Sequence, residues 1–168
     1  MKTIGLISDT HSSIHPSVIT FLQQCDEIWH AGDIGDLETA KTIASIKPLK
    51  AVYGNIDGQD IRSFYPHYQD FFCEGVKVLI IHIGGYPARY SKEAKELIKE
   101  LKPALFISGH SHILKVMNDQ KNNLLHINPG AAGKSGFHKF ITAIKFIVDG
   151  TNIKDLEVLE IERENKIL

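Results

Sequence analysis

Eight side chains able to hold a metal or move a proton stand at the ends of apolar runs. IGLISDTHSS (4–13) leaves a core-like strand and arrives at Asp9 and His11; EIWHAGD ends in Asp33, LKAVYGNID in Asn55 and Asp57, KVLIIH in His82, and ALFISGHSH in His110 and His112. Oxygen and nitrogen donors without thiolate suit Mn, Fe, Zn or Ni, whereas imidazole is a poor match for an ion as hard as Mg. Asp9, His11, Asp33, Asn55, His82, His110 and His112 are too many for one ion. Two divalent ions sharing Asp33 as a bridge would use all seven and leave positions for water and substrate. Two ions roughly 3.5 to 4 Å apart clamp the attacking and leaving oxygens of phosphoryl transfer, with a hydroxide held between them as nucleophile.

Such convergence needs strands that deliver their carboxyl ends to one rim, as the parallel strands of an α/β sheet do. TIGLIS (3–8), EIWHAG (27–32) and LKAVYG (49–54) read as buried strands, separated by the helical stretches HPSVITFLQQC (15–25) and DLETAKTIASI (36–46). Strand, helix and strand in this order form a right-handed crossover with parallel strands. A polar loop spans 56–66, and YQDFFCEGVKVLIIHIG (68–84) reads as two strands turning near Glu74-Gly75. SKEAKELIKELK (91–102) is an amphipathic helix with Ser91 at its start and Pro103 beyond its end, and ALFISG (104–109) is the next strand. After His112 the helices cease. LKVMNDQ, NLLHINPG, KFITAIKFIVDG and DLEVLEIE are expected to be consecutive antiparallel strands, turning at 120–123 and 149–152. The expected fold is α/β, a two-sheet α/β sandwich flanked by helices, in one domain over 1–168.

With 43% hydrophobic and 23% charged residues the composition is globular, and a net charge of −1 supplies no field for long nucleic acid. No apolar run approaches the length of a membrane span, so a cytoplasmic protein without membrane contact is expected. Cys25 and Cys73 fit no metal or redox spacing and read as buried apolar thiols. His15, His30, His67, His126 and His138 have no strand-end position and read as ordinary residues. Lys134 and Lys139 beside a Gly-rich turn either add positive potential for a phosphate or are solvated surface lysines.

The blocks DTH, GDIGD, GNID, the strand-end His82 and GHSH, spread over residues 9 to 112, resemble the calcineurin-like metallophosphoesterase superfamily, in its compact prokaryotic phosphodiesterase branch. NPGAAG (128–133) is similar to the Asn-Pro-Gly-Ser turn of that branch and extends the likeness over most of the chain. The resemblance implies that Asp9, His11 and His112 hold one ion, that Asn55, His82 and His110 hold the other, and that Asp33 bridges them; Asp33, Asn55 and His82 are thereby placed in the catalytic centre. It also implies a two-sheet sandwich with outer helices and hydrolysis of small phosphoesters. Three positions depart from it. Asn55 is followed by Ile56-Asp57 where larger phosphatases carry a leaving-group His; His82 is followed by Ile83-Gly84-Gly85 rather than Gly-His; and Ala131 stands in place of the turn Ser. Without an assigned general acid, diesters with aryl or nucleoside leaving groups are favoured, and Asp57 is a candidate for proton transfer. The competing expectation is a non-catalytic protein-binding scaffold like the retromer subunit Vps29, which resembles the same branch. The complete donor set favours catalysis. A homo-oligomer stays open.

Overall fold

Residues 1–164 are described by the computed structural model. In chain order the elements are β1 (Lys2–Ile7), α1 (Pro16–Leu22), β2 (Glu27–His30), α2 (Leu37–Ile46), β3 (Leu49–Ala51), α3 (Gln59–Arg62), β4 (Tyr68–Cys73), β5 (Val76–Ile81), β6 (Gly85–Tyr86), β7 (Arg89–Tyr90), α4 (Lys92–Leu101), β8 (Leu105–Ile107), β9 (Leu114–Asp119), β10 (Leu124–Pro129), β11 (Phe140–Asp149) and β12 (Asn152–Glu162).

Two five-stranded sheets face each other, ordered β12-β11-β1-β2-β3 and β4-β5-β8-β10-β9. In the first sheet β1, β2 and β3 are parallel; in the second β5, β8 and β10 are. Period-2 alternation sorts the side chains between layers. Ile4, Leu6, Trp29, Val78, Ile80, Ile107, Ile127 and Phe146 fill the space between the sheets. Ile7 and Ile28 turn outward against Val18 and Leu22 of α1 and Ile43 of α2. Leu79, Ile81, Phe106 and Leu124 turn outward on the second sheet against Ala94 and Ile98 of α4. The result is helix, sheet, sheet, helix. Gly5 is small for a packing reason: a Cβ there would lie 2.6 Å from Leu22 Cδ2.

Helices α1, α2 and α4 begin where side chains satisfy free backbone N–H groups. Asp36 accepts the Thr39 N–H at 2.8 Å to start α2, and Ser91 accepts that of Ala94 at 3.1 Å to start α4. Helix α4 ends at Lys102 in the left-handed region (φ 49°), one residue before Pro103. Helix α1 begins at Pro16 as its sequence suggests, with His15 as the cap, but stops at Leu22.

The last four strands do not form one antiparallel run. β9 pairs with β10 and β11 with β12, both antiparallel, but β10 lies parallel to β8 in the second sheet while β11 joins β1 in the first. The stretch from Gly130 to Lys139 crosses between the sheets. Two further elements lie where the sequence suggests none: the single turn of α3 within the loop 56–66, and the β6–β7 hairpin after His82. Among the described residues no helix is long and apolar enough to cross a membrane.

Candidate metal centre

Because β1, β2 and β3 are parallel in one sheet and β5 and β8 in the other, both sheets present their carboxyl ends to a common edge. All seven expected residues meet there. Donor atoms of Asp9, His11 and His112 form one group and those of Asp33, His82 and His110 a second, each within 4.8 Å of one another. Asn55 Oδ1 lies 3.0 Å from His82 Nε2 and 3.0 Å from His110 Nδ1, within the second group. Asp33 Oδ2 stands between the groups, 3.4 Å from His11 Nε2 and 3.2 Å from His82 Nε2. Asp9 Oδ1 is 3.2 Å from His112 Nε2, 3.7 Å from His11 Nε2 and 3.9 Å from His82 Nε2.

The backbone is bent to achieve this. Asp9, His11, Asp33, His110 and His112 all have positive φ, between 45° and 71°. That region is costly for residues with a Cβ, and such conformations concentrate at functional sites. The loops that adopt it are tied to each other: Asp9 N–H donates to the Gly32 carbonyl (2.9 Å), His11 N–H to that of Asp33 (3.0 Å) and Ser12 N–H to that of Ile34 (2.9 Å). Gly54 is required by close approach, since a Cβ there would collide with the Asp33 carboxylate.

Hydrogen bonds behind the site decide which ring nitrogens face inward. His82 Nδ1 lies 2.7 Å from the Ala31 carbonyl, so it carries the proton and leaves the Nε2 lone pair toward Asp33 and Asn55. His138 Nε2–H donates to the Gly133 carbonyl at 2.7 Å; its Nδ1 then accepts from His112 Nδ1–H at 3.2 Å, leaving the His112 Nε2 lone pair toward Asp9. Asp9 Oδ2 accepts from Ser8 Oγ–H (2.6 Å) and the His110 N–H (3.1 Å), and Asp33 Oδ1 from the Ile56 N–H (3.0 Å), which fixes both carboxylates and frees Asp9 Oδ1 and Asp33 Oδ2.

What remains is a cluster of acceptors facing one another. Asp9 Oδ1 and His11 Nε2 are buried without any hydrogen-bond partner. Such groups are expensive unless a cation joins them. Burial alone would raise the Asp9 carboxyl, but the His11, His112 and His82 rings close beside it and the Ser8 hydroxyl outweigh burial and hold the group far below the usual carboxylate range. Asp33 is likewise lowered, burial being outweighed by the His82 ring and the Ile56 N–H. The nearby Asp9 carboxylate raises His11, and His82 is raised because Asp33 and Asp9 together outweigh its burial. The buried charge is negative and draws positive charge from whatever is near. This donor set fits divalent cations on chemistry and on the two orphaned atoms alike.

Asp57, a candidate for proton transfer, is engaged by backbone N–H groups. It is 2% exposed; its Oδ2 accepts the N–H groups of Ile34 (3.1 Å) and Gly54 (2.8 Å), and its Oδ1 that of Gly35 (2.8 Å). It clamps the loops bearing Asp33 and Asn55. Lys134 and Lys139 are exposed. Ala131 is fully buried, and in the same turn Asn128 Nδ2–H donates to the Gly109 carbonyl (3.0 Å) and Ser111 Oγ (3.1 Å), fastening the GHSH loop. Both cysteines are buried and unpaired, and burial pushes the Cys25 thiol up to about 11.

Three supporting residues escaped the sequence reading: Ser8, His30 and His138. His30 accepts the Gly32 N–H on Nδ1 (3.1 Å) and donates from Nε2 to Thr10 Oγ1 (2.9 Å), and full burial pushes it down to about 3, so it is a neutral strut between the first two site loops. Its position two residues before Gly32 was a signal of sorts. For His138, in the crossing between sheets, the sequence offered none.

The model of the calcineurin-like phosphoesterase superfamily domain matches residues 1–150. A curated protein of Methanothermobacter thermautotrophicus, named "Probable metallophosphoesterase", is 30% identical over 135 residues, covering 76% of each chain. The structure of a novel archaeal phosphodiesterase aligns with a TM-score of 0.73 at 21% identity, over 94% of this chain and 99% of that one. Vps29 from Chaetomium thermophilum aligns at 0.75 and 17% identity, over 98% and 100%.

Proposed function

The chain belongs to the calcineurin-like phosphoesterase superfamily, and from that premise we propose that it is a dinuclear, metal-dependent phosphodiesterase acting on small phosphoesters. Hydrolysis of phosphoesters with divalent metal is the family's chemistry. The finer reading is carried by one observation: two groups of inward-facing donors share Asp33 Oδ2, and two of their buried atoms lack any partner.

In this reading Asp9, His11 and His112 hold one ion, Asn55, His82 and His110 the other, and Asp33 both. Bound divalent ions, Mn or a related metal, supply Lewis-acid polarisation of a phosphoryl oxygen and a lowered pKa for water. The chain's own part is to keep the donors in one tautomer and one orientation before substrate arrives. Ala31 does this for His82, His138 for His112, and Ser8 with the His110 N–H for Asp9. With Asp57 occupied by backbone N–H groups, no acid is assigned to the leaving group, which favours diesters whose alcohol departs readily, such as aryl or nucleoside esters. A scaffold function, suggested by the Vps29 likeness, gives no reason for a complete set of inward lone pairs.

The test is metal analysis of purified protein together with hydrolysis of bis(p-nitrophenyl) phosphate and p-nitrophenyl phosphate by chelator-treated protein resupplied with Mn, Fe, Zn or Ni. Two ions per chain and a preference for the diester are expected. Asp33→Ala, folded by circular dichroism, is expected to lose this activity; full activity in it would refute the shared carboxylate, and inactivity of the native chain across all metals would favour the scaffold.

A further inference from the structure

On the outer face of the second sheet, between the β6–β7 hairpin and the ends of β8 and β10, lies a cavity of about 260 Å³. His110 lines its inner side, and its Nδ1 is 3.0 Å from Asn55 Oδ1, so the cavity opens directly beside the second donor group. Whole small-molecule sites run upward from roughly 300 Å³. This one suits a single ring system attached to something held at the metal centre.

Its walls and floor say what kind of ring. Tyr86 and Tyr90 line it, and the Tyr90 hydroxyl is already donated to Asp119 at 2.7 Å. His126, also lining the cavity, is 0% exposed. Its Nδ1 lies 3.2 Å from the Phe106 carbonyl and so carries the proton, and its Nε2 lone pair is buried with no partner. Burial pushes this ring down to about 4, which keeps it an acceptor near neutrality. An unsatisfied buried acceptor is costly, and a ligand N–H would satisfy it. Two cations complete the lining, Arg89 and Lys115, the latter with its ammonium 3.5 Å from the centre of the Tyr86 ring. Flat walls, one acceptor and a cationic border match a planar heterocycle bearing N–H donors and an electron-rich π face.

We propose that this cavity binds the nucleobase of a nucleotide-derived phosphoester whose phosphoryl group lies at the Asp9–Asp33 centre. This deepens the phosphodiesterase reading and rests on it. His126 and Tyr86 are then specificity-determining residues, and the β6–β7 hairpin is the element that builds the site.

The experiment compares Mn-loaded enzyme on the p-nitrophenyl ester of a nucleoside 5′-phosphate, which bears a base, and on methyl p-nitrophenyl phosphate, which does not. His126→Leu and Tyr86→Ala are each expected to lower the ratio of the two kcat/KM values by roughly tenfold or more, the scale of one unsatisfied acceptor or one lost ring contact. Binding of a nucleoside 5′-monophosphate is followed separately by amide shifts, expected at Gly85, Tyr86 and His126. An unchanged ratio in both variants, or nucleotide binding that leaves those amides unmoved, overturns the pocket. Absence of hydrolysis of either ester by the native chain counts instead against the phosphodiesterase reading, and the amide shifts still decide the pocket. If His126→Leu fails to fold, Tyr86→Ala, on the partly exposed hairpin, carries the test.

Discussion

His138→Leu should weaken one metal position and spare the other. His138 Nδ1 is the acceptor that holds the proton of His112 on Nδ1, and the 2.7 Å bond from its own Nε2 to the Gly133 carbonyl fixes that tautomer. Leucine occupies comparable space and removes both bonds. His112 is then free to move its proton to Nε2, facing Asp9 Oδ1 at 3.2 Å, which is a sound hydrogen bond but blocks the lone pair a cation needs. Loss of such a supporting partner costs about 10- to 100-fold in metal affinity, or about 1.4 to 2.8 kcal/mol. The missing Gly133 bond adds about 1 kcal/mol of folding stability lost. Calorimetric titration of chelator-treated protein with Mn or Zn resolves the effect: the ion at Asp9, His11 and His112 weakens, while the one at Asp33, His82 and His110, backed by Ala31 instead, does not. His138→Asn, whose side-chain carbonyl can still accept from His112, should recover part of the loss. Unaltered affinity in the leucine variant, or equal weakening of both ions, would refute the relay.

Asp57→Asn should act on stability and not on proton transfer. One of its two acceptor oxygens becomes a donor facing backbone N–H groups, which costs about 2 to 4 kcal/mol for lost bonds to a charged group. Urea unfolding measures this, and the ratio of rates on good and poor leaving groups should stay unchanged. His126 should make the fold acid-sensitive in a defined window. Its folded value is lowered to about 4 from 6.5, so below pH 6.5 the unfolded chain takes up a proton that the folded chain refuses. The stability is complete above about 6.5 and is lost as pH falls toward 4, by up to about 3 kcal/mol. Denaturation of the native chain and of His126→Leu across that range should give curves that converge on acidification, and parallel curves would show that His126 titrates normally.

The site was legible because its logic is topological. A parallel strand places the residue after its last hydrogen bond at the sheet edge, and five such ends carried Asp, His or Asn. Asp9, Asp33 and Asn55 come from one sheet and His82, His110 and His112 from the other, yet they meet because both sheets turn the same edge upward. Pairing partners were less legible. Alternation tells which faces a strand buries and not which strand lies beside it, so the segments of β10 and β11 looked like neighbours although residues 130–139 carry the chain from one sheet to the other. Two-residue strands such as β6 and β7 are too short to show a period. The part played by Asp57 is open in the sequence because an acid just past a strand has the same signature whether it moves protons or accepts backbone N–H bonds.

The residues that support the donors share a physical role: they hold strained groups in place. Five of the seven donors sit at positive φ, a conformation Asp and His adopt only against a cost. That cost is offset by Ser8, His30, Asp57, Asn128 and His138, each of which hydrogen-bonds a loop carrying a donor or the donor itself. Their bonds end on backbone groups or on other polar side chains, so no local pattern announces them. The donors specify what can be bound, and these supports specify that the donors are aimed before anything binds. Preorganisation of this kind is where a folded chain does better than the same residues free in water, because no reorganisation is left for the moment of reaction.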